Sequence, residues 1–468
     1  MGCQDEAYDP QRPGGSPFED GQERIRTGRR TLITAGAGLA FSAAAGSAAA
    51  APTKKKPART LHEGATVQRR RGRRAYVLVI DGCRPDELDQ GLTPNLKALR
   101  DGGLAYPRAV SMPVMETIPN HVMMMTGMRP DRTGVPANSV LDLTEGTIRD
   151  MDRPSDIKVA TIIDRMNVRG LRTATVLSKD YLYGIFGERA GRRWEPFPLL
   201  PLTNHAPDQA TMRAVDAMLD DYDPHLMFVN LGDIDRFGHS DVTGPAGVKA
   251  LRRSALIDTD RLVGTFIDTL KSTGRWEKSM VVVLADHSMD WSIPTNTITM
   301  TPRLAADPFL AGQVVIAQNG GAELVYWRGA EDQRAQAVQR IQTIATATPG
   351  VLEAPARTDP RLRLGPEAGD VVLYCQAGWR FSDPQPLLSN PIPGNHGHPA
   401  TEPIPFFIGG GHRDVPRGRS SSHAASTVDV APTVADFFGI RAGRSDYDGS
   451  TRLTTTKRAS AGIRKGRR

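Results

Sequence analysis

The stretch AYVLVI, residues 75–80, is followed at once by Asp81 and Gly82. An apolar, β-branched run that stops abruptly at polar residues predicts a strand buried in a parallel sheet. Similar runs recur along the chain as TATVL (173–177), HLMFVNL (225–231), SMVVVLA (279–285) and PIPFFIGGG (403–411). Helical patterns accompany them at 155–168, 208–220, 246–272 and 427–439. Strands that alternate with helices predict an α/β fold, a three-layer sandwich around a mostly parallel central sheet.

The rhythm of strands and helices changes between about residues 290 and 393. Pro and Gly are frequent there, with one helical segment near 331–347 and one short apolar run, VVLY, at 371–374. We interpret this region as a smaller subdomain inserted into a main domain that spans residues 75–440. No internal repeat and no phosphate-binding P-loop motif is found in the sequence.

The positive charge of the chain lies mainly in two flanking segments. The 468 residues carry a formal net charge of +7. Residues 52–74 contain three Lys, six Arg and one Glu, and residues 457–468 contain six basic residues and no acid. We interpret 52–74 as a basic linker and 441–468 as a basic, flexible tail, either of which can touch anionic surfaces. Neither basic run contains aromatic residues on which bases would stack, so we predict no specific nucleic-acid binding.

Residues 1–51 resemble an export signal. Arg29 and Arg30 precede a weakly hydrophobic run, 31–51, which is rich in Ala and Gly and ends in small residues suited to cleavage. The long polar region before the arginine pair is typical of a twin-arginine signal. We therefore predict a secreted or cell-envelope protein without membrane insertion after cleavage. A retained transmembrane anchor is the alternative, because about 20 residues can span a bilayer.

Acidic residues and histidines cluster beside the predicted strands. In open α/β sheets, ligands gather beyond the carboxyl ends of the strands. Three carboxylates and three imidazoles at that edge can hold two zinc-like ions without any cysteine. Burying such a set without a metal would leave unpaired carboxylates, which is costly. The candidates are Asp81, Asp235, His239, Asp286, His287 and either His396 or His398, with Asp233 as the alternative to Asp235.

A second segment, VMETIPNHVMMMTGMRPDRTGVPAN (114–138), places Thr117 ahead of Pro-Asn-His and a methionine-rich helix. Taken alone, this pattern favours a helix cap, with the methionines packed inward. The start of a helix also offers backbone donors and a dipole that favour an anion.

Five motifs in order resemble the alkaline phosphatase superfamily, and they are most similar to its type I phosphodiesterase/nucleotide pyrophosphatase branch. They are VIDGCRPDEL, ETIPNHVMMMTGMRPDRTGVPAN, DIDRFGHS, LADHSMD and GNHGH. The similarity covers roughly residues 75–440 and implies an alkaline phosphatase-like fold with two divalent metal ions, most simply zinc. Two positions depart from the usual family pattern. Ser288 stands where a glycine usually follows the Asp-His pair, and His398 stands where an aromatic residue is common.

The resemblance also implies a role for each matching residue. Thr117 would be the nucleophile and a metal ligand, and a bound metal would lower the pKa of its hydroxyl. Thr117 would attack phosphorus in line with the leaving group, and the resulting phospho-threonine would then be hydrolysed. The amide of Asn138 and the backbone N–H of Thr117 would hold a phosphoryl oxygen. One metal would be bound by Asp81, Asp286 and His287, and the other by Asp235, His239 and His396.

The expected function is therefore that of a secreted phosphodiesterase or nucleotide pyrophosphatase that acts on a small-molecule phosphoester. Phosphomonoester or phosphonate hydrolysis with the same residues is one alternative, and a non-catalytic exported binding protein is another. The arginines nearest to Thr117 in sequence, Arg129 and Arg132, lie in a turn that we predict to face solvent. A dianionic monoester needs more cationic groups around its phosphoryl oxygens than a monoanionic diester does. We therefore expect the protein to hydrolyse diesters in preference to monoesters.

Overall fold

The computed structural model describes residues 25–27, 70–197, 199–200, 204–241, 249–386, 388–441, 443 and 445–453. The predicted export signal, apart from Ile25–Thr27, lies outside the described residues, as do most of the linker and the end of the tail. Among the described helices, none is both long and apolar enough to cross a membrane.

A central sheet organises the main domain, and its five middle strands run parallel. In the described part of the chain the order across the sheet is Ile25–Thr27, Arg192–Trp194, Thr173–Leu177, Leu226–Leu231, Arg74–Ile80, Ser279–Leu284, Phe406–Gly409, Leu104–Ala105 and Arg419–Ser420. Every residue of Arg74–Ile80 after the first is buried, which explains why both faces of this strand are apolar. Phe406–Gly409 pairs antiparallel with Ser279–Leu284, so the sheet is mixed at that side.

The register of the parallel strands aligns their carboxyl ends. Ile80 pairs with Leu231 on one side of Arg74–Ile80, and Val79 pairs with Leu284 on the other. The residues that follow these three strands therefore emerge at one edge of the sheet.

Helices cover both faces of the sheet. One group of mutually contacting helices comprises Pro94–Gly102, Asp208–Asp221, Asp233–Ser240 and Ala250–Ser272, and a second comprises Thr117–Thr126, Ile162–Asn167, Asp180–Phe186 and Val430–Phe438. The fully buried strand Thr173–Leu177 contacts helices of both groups, which places them on opposite faces. The predicted α/β sandwich with a mostly parallel sheet is confirmed.

One predicted helix is shorter than its pattern suggested. The sequence pattern predicts a helix over 155–168, but the helix spans Ile162–Asn167. Thr161 starts it, since its hydroxyl accepts a hydrogen bond from the Asp164 backbone N–H, 3.2 Å away, while Asp164 bonds back to Thr161. A capping box of this kind fixes the first turn of a helix. Pro154–Asp156 forms a separate 3₁₀ turn before it.

A smaller antiparallel sheet with its own core lies within the region predicted as a subdomain. Its strands are, in order, Val314–Asn319, Ala322–Trp327, Val371–Cys375 and Val351–Glu353, and the helix Arg334–Thr346 packs on it. Asn319 joins it to the main domain, because its side chain accepts from Ser139 N (2.8 Å) and donates to Ser139 O (2.9 Å). The exact limits of the predicted domains remain predictions.

Shorter elements complete the described structure. The remaining α-helices among the described residues are Pro130–Thr133 and Thr301–Ala305. Two-stranded pairs form between Ala109–Val110 and Ala425–Ser426, Ser139–Leu141 and Ile148–Asp150, Asp290–Trp291 and Gly394–Asn395, and Thr297–Ile298 and Arg380–Phe381.

The segment predicted as a flexible tail, 441–468, packs on the main domain in part. Arg452 pairs with Asp429 at 2.7 Å, and the backbone N–H of Asp448 donates to Gly127 O at 2.8 Å. These contacts anchor the tail as far as residue 453, because Asp429 is buried and its charge needs a partner.

Replacing Glu323 by glutamine is expected to stabilise the protein at neutral pH. Glu323 is fully buried, and burial, followed by the neighbouring Asp383 carboxyl, raises its pKa well above the ordinary 4.5. At pH 7 the group must take up a proton on folding, which costs up to about 3 kcal/mol. The stability of the parent therefore falls as pH rises above the unfolded pKa.

The gain of Glu323→Gln in unfolding free energy should accordingly be larger at pH 7 than at pH 5, as measured by urea unfolding. Glu277→Gln, at an exposed position, is the matched control and should change little. A variant less stable than the parent at both pH values would contradict this account.

Candidate active site

Polar side chains gather where three adjacent strands end. Asp81 follows Arg74–Ile80, and Asp286 and His287 follow Ser279–Leu284 by one residue. The short helix Asp233–Ser240 begins just after Leu226–Leu231 and carries Asp235 and His239 one turn apart. His396 lies just after the short strand Gly394–Asn395.

The first cluster consists of Asp81, Asp286 and His287, each of which offers one ligand atom within 4.8 Å of the others. His287 Nε2 is 3.8 Å from Asp81 Oδ1 and 3.5 Å from Asp286 Oδ2. Both carboxylate oxygens are buried, and neither has a hydrogen-bond partner among the described residues. Burial and the Asp286 carboxylate raise the pKa of Asp81, which indicates a site short of positive charge.

The second cluster consists of Asp235, His239 and His396. His239 Nδ1 lies 2.9 Å from Gly394 O, and His396 Nδ1 lies 3.2 Å from Met115 O, so each Nδ1 carries the proton. The two Nε2 atoms are then both acceptors, yet they lie 3.1 Å apart. Asp235 Oδ1 is 3.3 Å from His239 Nε2. Acceptors that converge in this way fit a cation between them.

Both clusters fit divalent metal ions. Their donors are carboxylate oxygens and neutral imidazoles, which suit zinc, and backbone carbonyls orient the rings. Burial lowers the pKa of His287 to about 4 and that of His396 well below its ordinary value, so both rings are neutral at pH 7, as a metal ligand must be. The rings of His287 and His396 stack with centroids 3.7 Å apart, which brings the two clusters together.

Lys179, which the sequence motifs did not indicate, lies between the clusters. Its buried Nζ is 2.8 Å from Asp81 Oδ2 and 2.7 Å from Asp235 Oδ2. Burial lowers the pKa of Lys179, but the carboxylates of Asp235 and Asp81 outweigh that effect and hold the pKa above its ordinary value. The ammonium group therefore stays charged and holds one carboxylate of each cluster.

Thr117 is the first residue of the helix Thr117–Thr126, and its side chain is buried. The helix cap is Glu116 rather than Thr117, and no side chain caps the helix. The Thr117 hydroxyl instead lies 3.2 Å from His287 Nε2. The loop before the helix is fixed by Asn120, whose Nδ2 donates to the carbonyls of Met112, Val114 and Glu116.

Asn138 lies beside the start of this helix. Its Oδ1 accepts from Ile118 N at 2.8 Å, and its backbone N–H donates to Glu116 Oε2 at 2.9 Å. Because Oδ1 is occupied, the Nδ2 amide is the group that can donate to a ligand. Burial raises the pKa of Glu116 to about 8, so this carboxyl is largely neutral at pH 7.

A cavity of about 270 Å³ opens onto these residues. Thr117, Asn138, Asp235, His239 and His396 all line it. Polar residues from both domains complete the wall, namely Ser139, Asp150, Tyr181, Arg236, Gln318, Asn319 and Asn390. A larger cavity of about 640 Å³ elsewhere contains none of the candidate ligands.

The arginines considered from the sequence lie elsewhere. Arg129 donates to the carbonyls of Arg361 and Leu362 at 2.8 Å, and Arg132 donates to Ser445 O at 2.6 Å. Neither lines the cavity, whereas Arg236 does. The sequence feature that could have indicated Arg236 as a cavity residue is its position directly after Asp235 in the motif DIDRFGHS.

The two alternative ligands occupy other networks. Asp233 Oδ1 lies 2.6 Å from His205 Nε2, and its Oδ2 accepts from Asp208 N at 3.1 Å. His398 Nε2 lies 3.1 Å from Asp290 Oδ2. Ser288 does not disturb the adjacent pair, because its carbonyl lies 2.9 Å from His287 Nδ1.

The α/β sandwich thus brings two Asp/His clusters, each able to hold a metal ion, beside a buried threonine hydroxyl. Residues 75–398 match the model of the type I phosphodiesterase/nucleotide pyrophosphatase family, and the chain belongs to this family. The resemblance inferred from the five motifs is thereby confirmed.

Similar proteins include a curated relative and solved structures that share the fold. Bis(5'-adenosyl)-triphosphatase ENPP4 of Bos taurus is 24% identical over 226 residues, which are 45% of this chain and 46% of that protein. An inactive form of murine ectonucleotide pyrophosphatase/phosphodiesterase 5, in complex with AMP, is 17% identical with a TM-score of 0.65, covering 81% of this chain and 97% of that one. Phosphonoacetate hydrolase from Sinorhizobium meliloti 1021, in complex with phosphonoformate, is 20% identical with a TM-score of 0.59, covering 78% and 95%. The chain spans less than half the length of the curated relatives it matches.

Proposed function

We propose that the protein is an exported, two-metal hydrolase of phosphoric esters that uses Thr117 as its nucleophile, most specifically a phosphodiesterase or nucleotide pyrophosphatase. One observation carries this proposal. Thr117 begins a buried helix, and its hydroxyl lies 3.2 Å from Nε2 of His287, the ring of one cluster that stacks on His396 of the other. Export through residues 1–51 remains a prediction from the sequence.

Two divalent ions, most simply zinc, bound by Asp81, Asp286, His287 and Thr117 and by Asp235, His239 and His396, would stabilise negative charge on the phosphoryl oxygens and lower the pKa of the Thr117 hydroxyl. The helix start and the Asn138 Nδ2 amide would donate to a phosphoryl oxygen. Thr117 would give up its proton to solvent as its oxygen bonds to phosphorus, and the bond to the leaving oxygen, which takes a proton from solvent, would break on the opposite side. Water then hydrolyses the phospho-threonine and regenerates the hydroxyl.

A panel of chromogenic and nucleotide monoesters and diesters, assayed with the zinc-loaded mature protein, tests the reaction class. Hydrolysis of none of them would contradict the proposal and favour a non-catalytic binding protein. Phosphomonoester or phosphonate hydrolysis is the second candidate, and it is favoured by Arg236, a cationic group in the cavity that the sequence did not reveal. We expected diesters to be preferred over monoesters because the sequence indicated no cationic group near Thr117.

Removing the metals is expected to abolish turnover, and zinc should restore it, because every candidate ligand is Asp, His or Thr. Dialysis against a chelator, with metal content measured alongside activity, checks this expectation. Metal-free protein should also unfold at a lower temperature, because its buried carboxylates lose their compensation. Full activity in a preparation shown to be free of metal would contradict the proposed two-metal mechanism.

A further inference from the structure

The guanidinium of Arg236 lies in the wall of the active-site cavity, and among the described residues no carboxylate accepts a hydrogen bond from it. Arg236 belongs to the helix Asp233–Ser240, and its side chain is 22% exposed. Its Nη2 donates to the Tyr181 hydroxyl at 3.2 Å, while its Nε is buried and has no hydrogen-bond partner among the described residues. The guanidinium also lies over the Tyr181 ring, 5.8 Å from its centroid.

Burial lowers the pKa of Arg236, but Tyr181 and nearby acids, Asp235 among them, stabilise its charge through space and hold the pKa above its ordinary value. In the part of the chain that the structure describes, none of these acids accepts a hydrogen bond from the guanidinium. Asp235 Oδ2 is 4.0 Å from Arg236 Nε, and it already accepts from Lys179 Nζ at 2.7 Å. Asp150, which also lines the cavity, hydrogen-bonds to the Ser139 hydroxyl. Glu116 Oε2 accepts a hydrogen bond from Asn138 N at 2.9 Å. A half-buried guanidinium with unused donors needs an anion, and the open side of Arg236 is the cavity.

The cavity is too small to place a second charged group far from the scissile phosphorus. At about 270 Å³ it lies at the lower end of the size of small-molecule sites. Thr117 and Asn138 mark where the phosphoryl group would bind, and Arg236 lines the same cavity. The Tyr181 oxygen accepts from Arg236, so its own O–H remains available as a donor toward a ligand.

We propose that Arg236 and Tyr181 form a subsite for a second anionic oxygen group of the substrate, a carboxylate or a phosphate within a few bonds of the scissile phosphoryl group. The planar guanidinium fork matches either group in a bidentate manner. The enzyme would therefore select compact substrates with two anionic centres over simple monoanionic diesters. This subsite rests on the proposed function and deepens it.

The test compares substrates that differ only in the second charge. Carboxymethyl 4-nitrophenyl phosphate carries it, its methyl ester does not, and phosphonomethyl 4-nitrophenyl phosphate replaces the carboxylate by a phosphonate. The zinc-loaded parent is expected to favour at least one charged substrate over the methyl ester by about tenfold or more in kcat/KM. The better of the two charged substrates identifies which anion the subsite takes.

In Arg236→Gln this selectivity should fall to near one, with zinc content unchanged, and Arg236→Lys should retain part of it because lysine keeps the charge without the fork. Arg213→Gln, at an exposed position, is the matched control and should keep the selectivity of the parent. Binding supplies a readout independent of turnover. In a Thr117→Ala background, the Kd of whichever charged ester binds more tightly should rise about tenfold when Arg236 becomes glutamine.

The outcomes separate this subsite from the proposed function. If the parent hydrolyses none of the three esters, the proposed function fails, while the Kd comparison still decides the subsite. If the parent hydrolyses the esters without selectivity, or Arg236→Gln keeps both the selectivity and the Kd, the subsite is overturned. A loss of activity that is equal for charged and neutral substrates would likewise overturn it, since Arg236 would then serve the reaction or the fold in general.

Discussion

Replacing Thr117 by alanine is expected to lower kcat by about 10⁴-fold or more, as the loss of a nucleophile does in other hydrolases that form a covalent intermediate. The hydroxyl is buried at the start of its helix, and its near neighbour across the site is His287 Nε2 at 3.2 Å. Without the Oγ1 atom no phospho-threonine can form. Steady-state kinetics on the best ester of the substrate panel measures the loss.

Two variants show whether that loss is chemical. Thr117→Ser keeps the hydroxyl and should retain substantial activity. Thr126→Ala removes a buried threonine at the other end of the same helix, where the hydroxyl donates to Val122 O at 2.7 Å and accepts from Met128 N at 3.2 Å, and it should leave turnover largely intact. Zinc content and circular dichroism should be alike in all of these proteins. Parental activity in Thr117→Ala would leave Thr117 as an ordinary helix residue.

The central strands were predictable because a strand that is buried on both faces appears in the sequence as a continuous run of apolar residues. Thr173–Leu177 has the predicted bounds, and Arg74–Ile80 and Ser279–Leu284 differ from prediction by one residue. The short strands Leu104–Ala105 and Arg419–Ser420 were not predicted. A strand of only two residues shows no periodic pattern in the sequence, and its pairing depends on the register of neighbouring strands that are distant in sequence.

The candidate ligands were predictable as a set, because they follow strands whose ends a parallel sheet brings together. The four-residue step to His239 favoured Asp235 over Asp233 from the sequence, and the tertiary contacts show what Asp233 does instead. Asp233 and Asp235 are both acidic and adjacent to the same strand, and only the partners of Asp233, His205 and the Asp208 backbone, show that it belongs to another network. Lys179 and Arg236 were missed for a related reason. From the sequence alone, a lysine or arginine is assigned to the solvent-exposed surface, because these residues are seldom buried unless they are paired.

Lys179 yields the second large prediction, because it is a buried charge on which two carboxylates depend. Its ammonium contacts the Oδ2 atoms of Asp81 and Asp235, whose Oδ1 atoms face the two clusters. Lys179→Met keeps most of the volume and removes the charge. Removing one partner of a buried ion pair costs about 3–5 kcal/mol, because the remaining charge is left uncompensated. We expect the metal-free variant to lose that much unfolding free energy, seen as a thermal midpoint several degrees lower.

Added zinc distinguishes this charge effect from a packing defect. Bound cations would compensate the same two carboxylates, so the deficit of Lys179→Met relative to the parent should shrink when zinc is present. By linkage the variant should also bind zinc more tightly than the parent, since zinc neutralises carboxylates that are uncompensated in the metal-free variant. Lys97→Met, which removes only an exposed helical pair with Asp101, is the control and should cost less than about 1 kcal/mol with or without zinc. An equal deficit in both conditions would mean that Lys179 contributes packing alone, because a cavity or a clash does not respond to cations bound beside it.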